Sequence, residues 1–319
     1  MSGSSRGAEV VDLVLEGGGV KGVALVGAIS ALEEHGLRFA RVAGSSAGAI
    51  VGALVAAGMT CNELRDAIEA LDFKRICDGT DLDRIPLLGK GLSIFFEHGV
   101  YGGDYFRDLV ADHLADFGIE TFADLRFNDA ESGLADHKQY KLLVTASDVT
   151  RGRLMHLPWD YALDGIDPDK QYVADAVRAS MSIPFFFRPV SLPIPGHPPS
   201  TLIDGGLLSN FPVDAFDRVD GRPARWPTIG IKLLARQDPN EVQHVVTGTV
   251  SLAEAIFGTM ASWHDRMQLD DPRVVQRTIF VDTSGVKSTD FEIDKSTQKK
   301  LFESGRVAAE RFLSESSSS

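Results

Sequence analysis

A strand-like run over residues 10–16 flows into Gly17-Gly18-Gly19-Val20-Lys21-Gly22, and 22 residues beyond Gly22 stands the turn Gly44-Ser45-Ser46-Ala47-Gly48. A glycine-rich loop can aim free N–H groups at a developing negative charge. A G-x-S-x-G turn lifts a serine hydroxyl clear of the backbone between a strand and a helix. Room for only one helix and one short strand separates the two, so an oxyanion hole and a serine nucleophile are expected side by side. By the spacing the nucleophile is Ser46, not Ser45, and Ala47 joins Gly17, Gly18 and Gly19 as an N–H donor.

The glycine loop also fits G-x-G-x-x-G at Gly17, Gly19 and Gly22. A dinucleotide site needs an acidic residue at the tip of the second strand to hold a ribose. Here that strand ends in Gly44-Ser45-Ser46 instead. No G-x-x-x-x-G-K-[ST] sequence occurs, which removes a P-loop. The net charge of −13 opposes nucleic-acid binding and strong attraction to anionic membranes.

Strand and helix patterns alternate along the chain. Helices are expected over residues 21–35, 47–57, 60–71, 104–117, 172–181, 248–269 and 295–313. Strands are expected over 10–15, 41–43, 140–146, 153–157, 201–203, 228–234 and 277–281. Thr60-Cys61-Asn62-Glu63 reads as a capping box. No repeat or linker interrupts the pattern, and 319 residues with 44% hydrophobic content can fill a large core. The expectation is one α/β domain over residues 10–313, with a mostly parallel sheet flanked by helices. Residues 1–9 read as a flexible N-terminus and the serine-rich residues 314–319 as a disordered tail.

Cys61 and Cys77 read as reduced thiols, and neither lies in a C-x-x-C that would suggest zinc. The N-terminus lacks a signal-peptide core. The longest uncharged apolar stretch, residues 47–59, is 13 residues, short of the roughly 20 that span a bilayer. A soluble, cytoplasmic protein with at most peripheral membrane contact is expected.

Ser46 needs a proton acceptor. A Ser…Asp…His order is formally available through Asp204 and either His244 or His264. Two features oppose it: only one strand precedes the serine turn's own strand, and neither histidine follows a strand. Asp204 does follow a short strand, and Gly205-Gly206 after it frees the backbone to present a carboxylate. Residues 85–101, with Ile94-Phe95-Phe96 and Tyr101, read either as a lid or as core packing. Phe185-Phe186-Phe187 reads either as acyl-channel lining or as core.

Together these residues resemble the patatin-like phospholipase family. Its pattern is a G-G-G-x-[RK]-G oxyanion loop, a G-x-S-x-G nucleophile turn and a D-G-[GA] motif. They stand here, in that order, as Gly17 to Gly22, Gly44 to Gly48, and Asp204-Gly205-Gly206. Lys21 takes the place of the commoner arginine. The segment from Ala179 to Val190 also looks like the family's stretch before its aspartate motif, and the similarity covers residues 10–214. The resemblance implies a three-layer α/β/α fold, with residues 215–313 completing it. It further implies a metal-independent, cofactor-free Ser46–Asp204 dyad that cleaves fatty-acyl esters of lipids or phospholipids through an acyl-enzyme. A catalytically silent or activator-dependent lipid-binding module of the same fold is the other-class alternative.

Overall fold

The structure, a computed structural model, describes residues 9–70, 103–129, 131–184, 186–234, 255–256, 258–260, 271–288, 290 and 293–316. The stretch expected as a lid, most of the helix expected over 248–269, Phe185, His244, His264 and Cys77 lie outside the described residues.

An eight-stranded sheet forms the centre of a three-layer α/β/α domain. Its strands are β1 (Glu9–Leu15), β2 (Leu37–Gly44), β3 (Leu142–Asp148), β4 (Arg153–Leu157), β5 (Val190–Ile194), β6 (His197–Asp204), β7 (Thr228–Leu234) and β8 (Thr278–Asp282). They run in the order β5-β6-β3-β2-β1-β7-β8, with β4 added to β3. The β3-β2-β1-β7-β8 core is parallel, whereas β4, β5 and β6 make antiparallel pairs. Parallel strands covered on both faces read as continuous apolar runs. That is the pattern of β1, where Leu13, Val14 and Leu15 are fully buried. Asp12 breaks the run but is matched by Arg41 on β2, which donates to its carboxylate through Nε at 2.9 Å and through Nη2 at 2.5 Å.

The described helices are α1 (Val23–Glu34), α2 (Ala47–Ala56), α3 (Cys61–Ala70), α4 (Asp104–Ala115), α5 (Val173–Ser180), α6 (Pro272–Gln276) and α7 (Lys295–Ser316). Helix α2 packs on β1, β2 and β3, and α5 packs on β3 and β6. Helices α1 and α7 pack against each other, and α7 against β8. At their crossing, a Cβ on Gly305 would lie 2.0 Å from the Ala24 carbonyl oxygen, so only glycine permits the approach. The capping box of α3 is present: Thr60 N donates to Glu63 Oε2 at 2.7 Å, and Glu63 N to Thr60 Oγ1 at 3.4 Å.

Several boundaries differ from the sequence expectation. The glycine loop passes through a 3-10 turn at Gly19–Gly22 before α1 begins at Val23. Strand β6 starts four residues before the expected 201, and β5 was not expected. Its Pro193 masks the strand pattern, yet β5 is the sheet edge, where a missing N–H costs no ladder bond. Helix α7 continues past residue 313 to Ser316, its serine hydroxyls donating back to main-chain carbonyls at Arg311 and Phe312.

Candidate active site

Strand order reverses about β1, which has β2 on one side and β7 on the other. In open α/β sheets a crevice forms at the carboxyl ends of strands at such a point. The loops leaving β1 and β2 are the glycine loop and the serine turn, so topology alone brings them together. Asp204 arrives differently. Strand β6 runs antiparallel to β3 and ends with Asp204 opposite Ala146, two residues beyond the Gly44–Val144 register. It therefore stops level with the serine turn.

Ser46 Oγ donates to Asp204 Oδ2 at 2.7 Å, across 158 residues of sequence. Ser46 has φ 50° and ψ −120°, the sole non-glycine residue with positive φ among those described. Such a conformation costs about 1–3 kcal/mol and persists only where its surroundings impose it. Here Ser46 N donates to the buried Ser180 Oγ at 2.8 Å. Gly44 and Gly48 face each other across the turn, and a Cβ on Gly48 would lie 2.4 Å from the Leu15 carbonyl oxygen. Ser46 is the N-cap of α2, so the Ala47 N–H belongs to the unpaired first turn of a helix. Ser45, its neighbour, is fully buried, with its Oγ beside Gly205.

Asp204 is 2% exposed. Gly206 N donates to its Oδ1 at 2.7 Å, which accounts for the D-G-G sequence: the 3-10 turn Gly205–Leu207 folds an amide back onto the carboxylate. Asp204 N donates to Ser182 O, and Asp204 O accepts from Ser147 Oγ, each at 2.9 Å. Burial pushes the Asp204 carboxyl up from 3.8 to about 6, against the lowering effect of its bonds from Ser46 and Gly206.

Gly17 passes beside Ser46, but its N–H, expected among the oxyanion donors, is already held by Asn210 O at 3.0 Å. Gly19 has φ 55°, and a Cβ there would strike the Ser288 carbonyl, which accepts from Val20 N at 3.1 Å. The Gly18, Gly19 and Ala47 amides donate to no partner among the described residues. Gly22 packs against the Ala47 methyl. Lys21 is buried, which lowers its ammonium pKa, while the Glu16 charge opposes that shift. Glu16 accepts from Lys232 Nζ at 2.5 Å and from Leu233 N, tying the start of the loop to β7.

A pocket of about 550 Å³, mouth included, opens at Ser46. Val20, Ile50, Val51, Phe106, Met181 and Phe187 are among its lining residues, and among the described lining residues Ser46 alone has a polar side chain. Phe187 thus lines the pocket and also packs into a small apolar cluster with Val20, Phe106 and Met181. No histidine appears among the described lining residues, and the Asp204 side chain is bonded to Ser46 and Gly206. Among the described residues no cluster of His, Cys, Asp or Glu has metal-site geometry, and no helix is long and apolar enough to cross a membrane.

Sequence reasoning did not single out Asn210 or the supporting roles of Ser180 and Ser182. Ser180 and Ser182 lie within the 179–190 segment. Arg178 braces Ser182 by donating from Nη1 to its Oγ at 2.6 Å. Alternating serines after an apolar helix were the available signal, but nothing local shows which backbone they will meet.

A model of the patatin-like phospholipase family matches residues 13–217. The chain is 38% identical to the uncharacterized protein YqhO of Bacillus subtilis, covering 95% of this chain and 98% of that one. It is 28% identical to lysophospholipase nte1 of Aspergillus niger, over 64% of this chain but only 11% of the fungal protein. The crystal structure of VipD from Legionella pneumophila superposes with a TM-score of 0.55 at 18% identity, covering 98% of this chain and 68% of VipD. That is a likeness of fold. The family match spans well over half of the sequence and contains all three motifs: the chain belongs to the patatin-like phospholipase family.

Proposed function

We propose that this chain is a serine acyl hydrolase that cleaves fatty-acyl esters of lipids, with Ser46 as nucleophile and Asp204 as its proton acceptor. The observation that carries the reading is the 2.7 Å hydrogen bond to a buried carboxylate from the Oγ of Ser46, which itself lines an apolar pocket. An ordinary aspartate, with a pKa of about 3.9, is a weak base toward serine. A value raised to about 6 leaves Asp204 ionised at neutral pH yet more willing to hold a proton.

In the first step Ser46 Oγ bonds to the ester carbonyl carbon, and its proton passes to Asp204. The carbonyl π pair moves onto oxygen, which accepts from the Gly18, Gly19 and Ala47 amides. Each such donor contributes about 10²–10³ in rate. The intermediate collapses by breaking the bond to the alcohol oxygen, which leaves with the proton from Asp204. Water then attacks the acyl-Ser46 ester, giving a proton to Asp204. The Ser46–acyl bond breaks, the fatty acid departs and Ser46 recovers its proton. The acyl chain lies in the apolar pocket throughout, and no step draws on a metal or cofactor.

The test is hydrolysis of a lysophospholipid and a p-nitrophenyl acyl ester by wild type and single variants. Ser46→Ala should lose at least about 10³-fold in kcat/KM, and His244→Ala and His264→Ala should retain wild-type rates. A folded histidine variant without activity would replace the dyad by a Ser-His-Asp triad. A folded wild type inactive on both esters, and on extracted membrane lipids, would favour a lipid-binding module.

A further inference from the structure

Asn210 follows the Asp204-Gly205-Gly206 turn by four residues and holds the glycine loop by two hydrogen bonds. Gly17 N donates to Asn210 O at 3.0 Å, and Asn210 Nδ2 donates to Gly17 O at 3.1 Å. The first bond is backbone to backbone and would survive any side chain at 210. The second requires a donor there. A Cβ on Gly17 would fall 2.3 Å from Asn210 Oδ1, so the side chain lies flat against the loop.

The Gly17 carbonyl and the Gly18 N–H belong to one planar trans peptide and point in opposite directions. Fixing the carbonyl on Asn210 therefore fixes the Gly18 N–H on the other side. Glycine on both sides of this peptide gives little steric resistance to its rotation. Without an external anchor the donor can turn away from the site with no change in the rest of the loop. The Asn210 side chain also reaches the neighbouring motif: a Cβ on Gly206 would meet Asn210 Oδ1 at 2.8 Å and Asp204 Oδ1 at 2.9 Å. One side-chain amide thus sits between the loop that carries the free amides and the turn that carries the carboxylate.

We infer that Asn210 is a positioning residue: its Nδ2–H···O bond to Gly17 holds the Gly17–Gly18 peptide so that the Gly18 N–H faces the oxyanion of the transition state. The inference rests on the acyl-transfer reading of Ser46 and Asp204. It assigns Asn210 no contact with substrate.

The experiment compares wild type, Ser46→Ala, Asn210→Ala and Asn210→Leu; leucine fills the space of asparagine without a donor. Four quantities are read for each: kcat and KM on a p-nitrophenyl decanoate, affinity for a decyl trifluoromethyl ketone, affinity for N-methyl decanamide, and the pH profile of kcat/KM. The ketone forms a tetrahedral adduct with an oxyanion, and the amide binds as an uncleaved ground-state mimic. Both Asn210 variants are expected to lose about 10²-fold in kcat, the effect of a misplaced catalytic group, with KM within about twofold. Ketone affinity should fall by the same factor, amide affinity should hold, and the pH midpoint should stay where wild type has it.

Folded variants within about threefold of wild-type kcat would overturn the inference. So would equal losses of ketone and amide affinity, which mark a general loss of pocket structure, or a displaced pH midpoint, which marks an effect through Asp204. If neither variant folds, the same ketone-against-amide comparison is made on Asn210→Ser, whose hydroxyl is too short to reach the Gly17 carbonyl; unchanged ketone affinity there overturns it. Activity that survives Ser46→Ala would instead sink the serine reading itself, independently of Asn210.

Discussion

Replacing Asp204 by asparagine should stabilise the protein while abolishing its chemistry, and the stabilisation should depend on pH. Asp204 is 2% exposed, and its carboxyl is pushed up from 3.8 to about 6, chiefly by burial. Between these values the folded state keeps a proton that the unfolded chain has released. The folded state then binds more protons, so stability falls as pH rises from about 4 through about 6 and is level above. At about 1.4 kcal/mol per pH unit, the full cost at pH 8 is about 3 kcal/mol. Asparagine carries no charge to desolvate. Its Oδ1 can accept from Gly206 N and its Nδ2 can donate to Ser46 Oγ, whose hydroxyl turns to suit. Asp204→Asn should therefore gain up to about 3 kcal/mol at pH 8, or roughly 4–5 °C in Tm for a chain of this size. At pH 4.5 the gain should shrink to about 1 kcal/mol. Urea unfolding of both proteins at the two pH values, extrapolated to water, measures this directly. An asparagine variant less stable than wild type at pH 8, or an offset equal at both pH values, would refute the reasoning.

Three further outcomes follow from the same geometry. If Asp204 acts ionised, kcat/KM should rise with unit slope and level off above a midpoint near pH 6, since its carboxyl is raised to about 6; a stopped-flow ester assay in constant-ionic-strength buffers reads the midpoint. Lys232→Ala would remove the ammonium that donates to the buried Glu16, a loss of stability that denaturant titration should show and that the double variant Lys232→Met, Glu16→Gln should largely recover. Ile50→Trp, which enlarges a side chain lining the pocket, should lower kcat/KM on a dodecanoyl ester at least tenfold relative to an acetyl ester.

The sequence carried the parallel half of the architecture because its strands are buried on both faces. The runs of β1, β3 and β7 are almost unbroken, and the loops after β1 and β2 hold the glycines that their close approaches require. The antiparallel half was less legible. Strand β5 contains Pro193 and alternates exposure, and its pairing with β6 depends on the turn at Gly196, with φ 73°. The three motifs named the residues that meet, but not how. That Asp204 ends level with Ser46 is a matter of antiparallel register to β3, a relation between strands more than 50 residues apart that no local pattern encodes. For the same reason Ser180 and Asn210 gave no signal of their own. Each acts on a backbone group more than 130 residues away, and neither has a periodicity or spacing that announces it.

The central claim is that Ser46 is a nucleophile whose proton is taken by Asp204, and covalent labelling tests it most directly. The protein is treated with an alkyl fluorophosphonate over pH 5–8, and the adduct is located by peptide mass mapping. The expected result is one adduct per chain, on the peptide containing Ser46, forming at a rate that rises through about pH 6. The rate should be at least about 10²-fold lower in Asp204→Asn and unchanged in His→Ala variants at all eight histidine positions. Folded protein that never labels, an adduct on another residue, or a histidine variant that no longer labels would contradict it.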